Sequence, residues 1–232
     1  MSGRTIELEA ADGHRPSAYC AIPDGTTKGA IVLAQEVFGI TPHVRGICDD
    51  YASHGFLVIA PAIYDRVEPG LELKPTEEDR LKGAAIRKQI SWGNILDDMA
   101  AARDVARRAG KVGILGFCLG GDIAWAGACL QGFDAAVCYY GGAIAKMLHL
   151  TNTCPVMLHN GTADPWIAAE DQAKIDAAGK PMMTIHKYEG IGHAFNNDTL
   201  PHRWHAATAA IARERSIAFF DKHLASDNSG RR

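Results

Sequence analysis

Six strand-length apolar runs, at 30–34, 56–60, 112–115, 135–139, 156–158 and 182–186, constrain the fold of this chain more than any other feature. Each is too short for a buried helix and too continuous for a strand with one wet face. Each therefore predicts a strand covered on both sides. Between them lie helix-like stretches at about 43–54, 77–89, 94–109, 119–131, 166–178 and 201–224, several opened by Pro, Asn or Asp and closed by Gly. Strand and helix in regular alternation predict an α/β architecture, a mostly parallel doubly wound sheet with right-handed crossovers. The start of the chain reads differently. Residues 6–10 and 17–22 alternate apolar and polar side chains around Asp12-Gly13, which predicts an antiparallel hairpin at the sheet edge.

The 232 residues suit one domain spanning 1–232, closed by a polar tail at about 226–232, with no second core and no separate lid. With 47% apolar and 22% charged residues the chain can fill a core, which excludes a disordered or collagen-like polypeptide. A net charge of −3 and the lack of a Lys/Arg cluster speak against nucleic acid as a partner. The first nine residues interleave charges with single aliphatics, so no export signal is expected, and no stretch approaches the ~18 apolar residues that span a membrane. The six cysteines include no C-x-x-C pair, which predicts free thiols in a reducing compartment. The expected protein is cytoplasmic, a monomer or homodimer, with a small molecule as its partner.

Open sheets of this kind gather ligands beyond the C-terminal ends of their strands. The loop after 112–115 reads Gly116-Phe117-Cys118-Leu119-Gly120, the spacing of a nucleophile elbow with sulfur in place of oxygen. The central residue of such a turn is forced into a strained conformation that exposes its side chain, while the glycines let strand and helix approach. Cys118 would then stand at a helix start, where the dipole favours thiolate and the Leu119 N–H can stabilise an oxyanion. Asp164 follows the run at 156–158, and His193 lies in Gly192-His193-Ala194-Phe195 after the run at 182–186. Nucleophile, acid and histidine thus occur in the order used by hydrolases of this architecture. His193 would accept and return the proton, and Asp164 would fix its tautomer.

Gln35-Glu36-Val37-Phe38-Gly39, Gly116-Phe117-Cys118-Leu119-Gly120-Gly121, Tyr139-Tyr140-Gly141 and Gly192-His193-Ala194-Phe195 resemble, in order, the signature segments of the dienelactone hydrolase family, which has the α/β-hydrolase fold. The resemblance implies Cys118 as nucleophile, His193 as base and Asp164 as orienting acid. It also implies that Glu36 is a carboxylate that helps hold the resting thiol and moves when substrate arrives, with the Val37 N–H as second oxyanion donor. The family's founding substrates carry a carboxylate held by arginines. Arg80 or Arg87 is expected as the first of these. The second is missing from its expected place, because Ala194-Phe195-Asn196-Asn197-Asp198 follows His193 and Arg203 falls in the helix predicted over 201–224. Trp166, Phe195 and Tyr140 are expected against the substrate. The irregular segment at 61–76 is expected as a wall of the site, with Tyr64 and Trp92 as further candidates.

A thiolate is itself a good leaving group, so its tetrahedral adduct collapses forward only when the substrate's own leaving group departs more easily. Enol lactones and activated esters satisfy that condition, and the expected reaction is their hydrolysis through a thioester. The same residues also suit a carboxylesterase or thioesterase acting on another small substrate, or a non-hydrolytic protein that senses through a reactive Cys118. No metal and no cofactor are expected. Cys129 and Cys138 read as small core residues, His159 as structural, and His202 and His205, on the last predicted helix, make no zinc motif.

Overall fold

The computed structural model describes residues 3–225, so the predicted tail at 226–232 lies outside the described residues. Eight strands form one sheet: β1 (Arg4–Glu7), β2 (Ser17–Ala21), β3 (Gly29–Ala34), β4 (Phe56–Pro61), β5 (Val112–Phe117), β6 (Ala135–Tyr139), β7 (Val156–Gly161) and β8 (Met183–Tyr188). Their spatial order is β1-β2-β4-β3-β5-β6-β7-β8. The β1–β2 hairpin joins β4 antiparallel, and every pairing from β4 to β8 is parallel. Six helices connect them: α1 (Pro42–Ser53), α2 (Glu77–Arg87), α3 (Trp92–Ala106), α4 (Leu119–Leu130), α5 (Ala169–Ala177) and α6 (Ala206–Leu224).

Alternate side chains of each strand enter opposite layers, because the side-chain period of a strand is two. Ala30, Val32 and Ala34 of β3 face a core shared with Ile95 and Met99 of α3 and Trp125 of α4. Ile31 and Leu33 face the other core, with Val44 and Tyr51 of α1 and Phe220 of α6. Helix starts follow local chemistry. Thr41 caps α1 ahead of Pro42, and Thr76 caps α2, whose first turn carries Glu77, Glu78 and Asp79 against the positive end of the helix dipole.

Three expectations change. β8 is only partly covered, because nothing pairs beyond it among the described residues, so it is an edge strand. The last helix starts at Ala206 rather than 201: Pro201–Arg203 form a turn, and His205 is the cap, its Nδ1 accepting from the Thr208 N–H at 3.3 Å. His202 and His205 therefore lie before the helix, not along it. Helix α5 likewise begins at Ala169, which leaves Trp166 in the loop after β7.

His159 on β7 is fully buried; its ring nitrogens contact the Tyr188 hydroxyl at 2.8 Å and Ser216 Oγ at 3.1 Å. Burial holds its pKa well below the usual histidine range, so it serves as a neutral bridge from β7 to β8 and α6. Cys129 and Cys138 are buried core residues. Among the described residues no helix is long and apolar enough to cross a membrane.

Candidate active site

Cys118 occupies the turn between β5 and α4 with φ 55° and ψ −116°, a conformation costly for any residue with a Cβ. Two glycines permit the turn. A Cβ on Gly116 would overlap the Gly120 carbonyl, and one on Gly120 would overlap the Ala34 carbonyl at the end of β3. The side chain of Cys118 thereby reaches a cavity of about 330 Å³ that Glu36, Val37, Leu119 and His193 also line.

His193 is 4% exposed, and its Nδ1 lies 2.7 Å from Asp164 Oδ2. The other oxygen of Asp164 accepts from the Trp166 N–H at 2.8 Å, so this carboxylate is fixed by the loop it sits in. Burial lowers the His193 pKa more than Asp164 raises it, which keeps the imidazole neutral, with its Nδ1–H donated to Asp164. Nε2 is buried and has no hydrogen-bond partner among the described residues. It is left as a free proton acceptor.

The thiolate expected from the helix dipole is not what the surroundings of Cys118 favour. Burial, then the nearby carboxylates of Glu36 and Asp122, push its pKa far above the usual thiol range, and the Leu119 N–H opposes this only in part. At rest Cys118 is a thiol. The helix dipole that was expected to favour thiolate is outweighed, because desolvation penalises the charged sulfur and two acids repel it. Glu36, 3% exposed, is itself lifted by burial to about 7, while a hydrogen bond from Asn197 Nδ2 at 2.9 Å pulls the other way. Buried Asp122 is also raised to about 7, and its Oδ1 accepts from the Ala143 N–H at 2.8 Å. Tyr64 donates its hydroxyl to the Val37 carbonyl at 3.1 Å and to the Gly83 carbonyl at 3.2 Å, which anchors the loop after β3 against α2.

The profile of the dienelactone hydrolase family matches residues 17–224. The chain belongs to the dienelactone hydrolase family. It is 30% identical over 223 residues to a carboxymethylenebutenolidase of Pseudomonas putida, covering 92% of this chain and 94% of that protein. A carboxymethylenebutenolidase 1 of Cupriavidus pinatubonensis is 29% identical, covering 91% and 94%. Among solved structures, a dienelactone hydrolase-like promiscuous phosphotriesterase, P91, from metagenomic libraries superposes with a TM-score of 0.73 over 97% of this chain and 100% of that one; at 16% identity the likeness is one of fold.

This dienelactone hydrolase family member places its remaining candidates unevenly. Arg80, Arg87 and Trp166 line the cavity, and Trp166 packs edge-on to His193 with ring centroids 4.3 Å apart. Phe195 and Tyr140 do not line it. Both are fully buried behind the histidine, Tyr140 with its ring 4.5 Å from that of His193 and its hydroxyl donating to Asn196, Phe195 against Tyr139, Tyr140 and Tyr188. Their aromatic bulk supports the loop instead of meeting ligand. Tyr64 is likewise buried, and Trp92 lies under the Arg87 guanidinium at 4.4 Å, outside the cavity lining. Of the segment 61–76, residues Glu72 to Pro75 line a neighbouring cavity of about 260 Å³ rather than the first.

Arg203, Asp122, Lys88 and Asn197 were missed. Arg203 lines the first cavity with its guanidinium 4.5 Å from the Trp166 ring, because the chain turns at 201–203 instead of continuing a helix. Asp122 lines it as well. A signal for Asp122 existed: it is the one acid in a helix otherwise built of apolar and glycine residues.

Proposed function

We propose that this chain is a cysteine-dependent hydrolase of lactones and small activated esters. The observation that carries this reading is the pairing of His193, whose Nδ1 is tied to Asp164 and whose Nε2 is free, with Cys118 on the wall of the same cavity. In the reaction, Cys118 Sγ attacks the acyl carbon as its proton passes to His193 Nε2. The negative oxygen is met by the N–H groups of Leu119 and Val37. Collapse breaks the acyl C–O bond, and the departing oxygen takes the proton from His193, leaving a thioester. Water then attacks the thioester with His193 as base, the C–S bond breaks, and the proton returns to sulfur. Because the resting sulfur is protonated, a base must act before or during attack. This protects the thiol from oxidation between turnovers, since oxidants attack thiolate. The same property disfavours the redox-sensing reading, which needs a low thiol pKa.

The cavity also supports a choice of substrate. Arg80 and Arg203 both line it and both lie against Trp166, at 5.5 and 4.5 Å from its ring. We infer an anionic group, a carboxylate, on the substrate, as the relatives' name carboxymethylenebutenolidase indicates for their own substrate. Arg203 supplies the second cation that seemed absent after His193. Arg203→Ala is expected to raise KM about tenfold for a carboxylate-bearing enol lactone and to leave KM for p-nitrophenyl acetate within about twofold, the usual loss for one charge-assisted contact. Equal effects on both substrates would remove the clamp from this account.

Intact mass of the protein, quenched during turnover of a lactone panel, tests the central reading. An adduct with the mass of the ring-opened acyl group is expected on the peptide carrying Cys118. An adduct on another residue, or turnover with no acyl-enzyme at any quench time under burst conditions, overturns it.

A further inference from the structure

We propose that Asn197 is a positioning residue for Glu36, fixing where that carboxylate points beside Cys118. The inference rests on the proposed cysteine hydrolase and on the role the family resemblance implies for Glu36, a carboxylate that helps hold the resting thiol, and deepens that reading. Glu36 stands between the two cavities of about 330 and 260 Å³, so it has room on both sides and needs something to hold it. Its Oε2 accepts from Asn197 Nδ2 at 2.9 Å, and Asn197 is 1% exposed.

The direction of that amide is determined by its other end. The Thr199 N–H donates to Asn197 Oδ1 at 3.0 Å, and the Thr199 hydroxyl does so at 2.5 Å. A backbone N–H can only donate, so the oxygen of the amide must face Thr199 and the NH₂ must face Glu36. The main chain is pinned too: the Asn197 N–H donates to the Ala194 carbonyl at 3.0 Å, and its own carbonyl accepts from the Leu200 N–H at 3.1 Å. Asn197 therefore offers Glu36 a donor in one place and cannot turn away to offer an acceptor.

A neutral donor does something here that an arginine would not. It stabilises the carboxylate over the acid without cancelling its charge, so Glu36 still acts on the sulfur. Glu36 is faced by Cys118, Tyr140 and His193 on the active-site side, and by His43, Glu72 and Lys74 on the side of the second cavity. Arg80, Arg87, Lys88, Asp122 and Arg203 complete the charged wall of the first cavity. With burial lifting Glu36 to about 7, the Asn197 contact decides how much of it is ionised near neutrality.

The test is the pH profile of kcat/KM for p-nitrophenyl acetate between pH 5 and 9. The limb that disappears in Glu36→Gln belongs to Glu36. In Asn197→Ala that limb is expected to move alkaline by about one unit, because the carboxylate loses its donor. Thr199→Val, at an exposed position, is expected to shift the limb in the same direction by a smaller amount, and Thr199→Ser, which keeps the hydroxyl, to bring it back. A limb that stays in place in Asn197→Ala, with the wild-type melting temperature retained, overturns the proposal. Should Asn197→Ala fail to fold, an unmoved limb in Thr199→Val does the same. A wild-type profile in Glu36→Gln overturns the role of Glu36 itself, which a different sample reports, and Asn197 then has nothing to position.

Discussion

Cys118→Ala is expected to lower kcat/KM for an enol lactone and for p-nitrophenyl acetate by at least about 10⁴-fold, the scale seen when a covalent nucleophile is deleted. Alanine keeps the Cβ, so the backbone at φ 55° bears the same strain and the fold is retained. The free Nε2 of His193 then has no thiol to deprotonate. The remaining cavity can still bind substrate through its arginines and Trp166. The loss should therefore fall on kcat, with KM for a carboxylate-bearing lactone little changed. Steady-state kinetics together with a thermal melt decide the matter. Hydrolysis that persists in a folded Cys118→Ala protein, above the rate in buffer, would remove sulfur from the mechanism and return the choice to histidine-activated water.

The second large effect concerns stability. Gly120→Ala adds a Cβ that would overlap the carbonyl oxygen of Ala34 and crowd that of Gln35, both main-chain atoms that cannot rotate aside. Helix α4 must then lift from β3, disturbing the core that Ile123 and Trp125 share with Val32 and Ala34. The cost is expected to be about 3 kcal/mol, at the upper end for overpacking, which corresponds to a drop in melting temperature of about 6–12 °C for a protein of this size. Gly46→Ala in α1 is the control: no atom lies within 4 Å of its Cβ, and the better helix propensity of alanine is expected to raise stability slightly. Calorimetric melts of the two variants compare them directly. Equal melting temperatures would show that α4 can retreat from β3 at little cost, and the steric account of the turn would fail.

The strand pattern was legible because burial on both faces leaves a continuous apolar trace, which β3 to β7 carry, while the run at 182–186 marked β8 although that edge strand is only partly covered. The placement of Cys118, Asp164 and His193 was legible for a related reason: each sits just past a strand end, so order along the chain translates into order across the sheet. What lay outside that logic was harder to see. Arg203 was assigned to a helix because Pro201 and the alanines after Trp204 carry helix signals, whereas His205 acts as the cap and the turn before it swings the arginine into the cavity. Tyr140 and Phe195 were assigned to the ligand on their aromatic character, which does not distinguish a binding wall from a second layer of packing. The protonation state of Cys118 depended on Glu36 and Asp122, one 82 residues distant in sequence and one on the next turn of α4, and on burial that sequence does not reveal.

Cys118, Asp164 and His193 follow β5, β7 and β8, whereas Arg80 belongs to α2 and Arg203 to the turn before α6, outside the sheet. In the proposed reading, bond breaking and the choice of what is broken are thus carried by separate parts of the polypeptide. A replacement at 202–204, which carries Arg203 and leaves Asn197 and the His205 cap in place, can redirect this enzyme to uncharged or bulkier molecules while its chemical engine stays as it is. Diversification within such a lineage is then a matter of exchanging peripheral chain, and libraries confined to that stretch and to α2 would sample new selectivities without risking the scaffold.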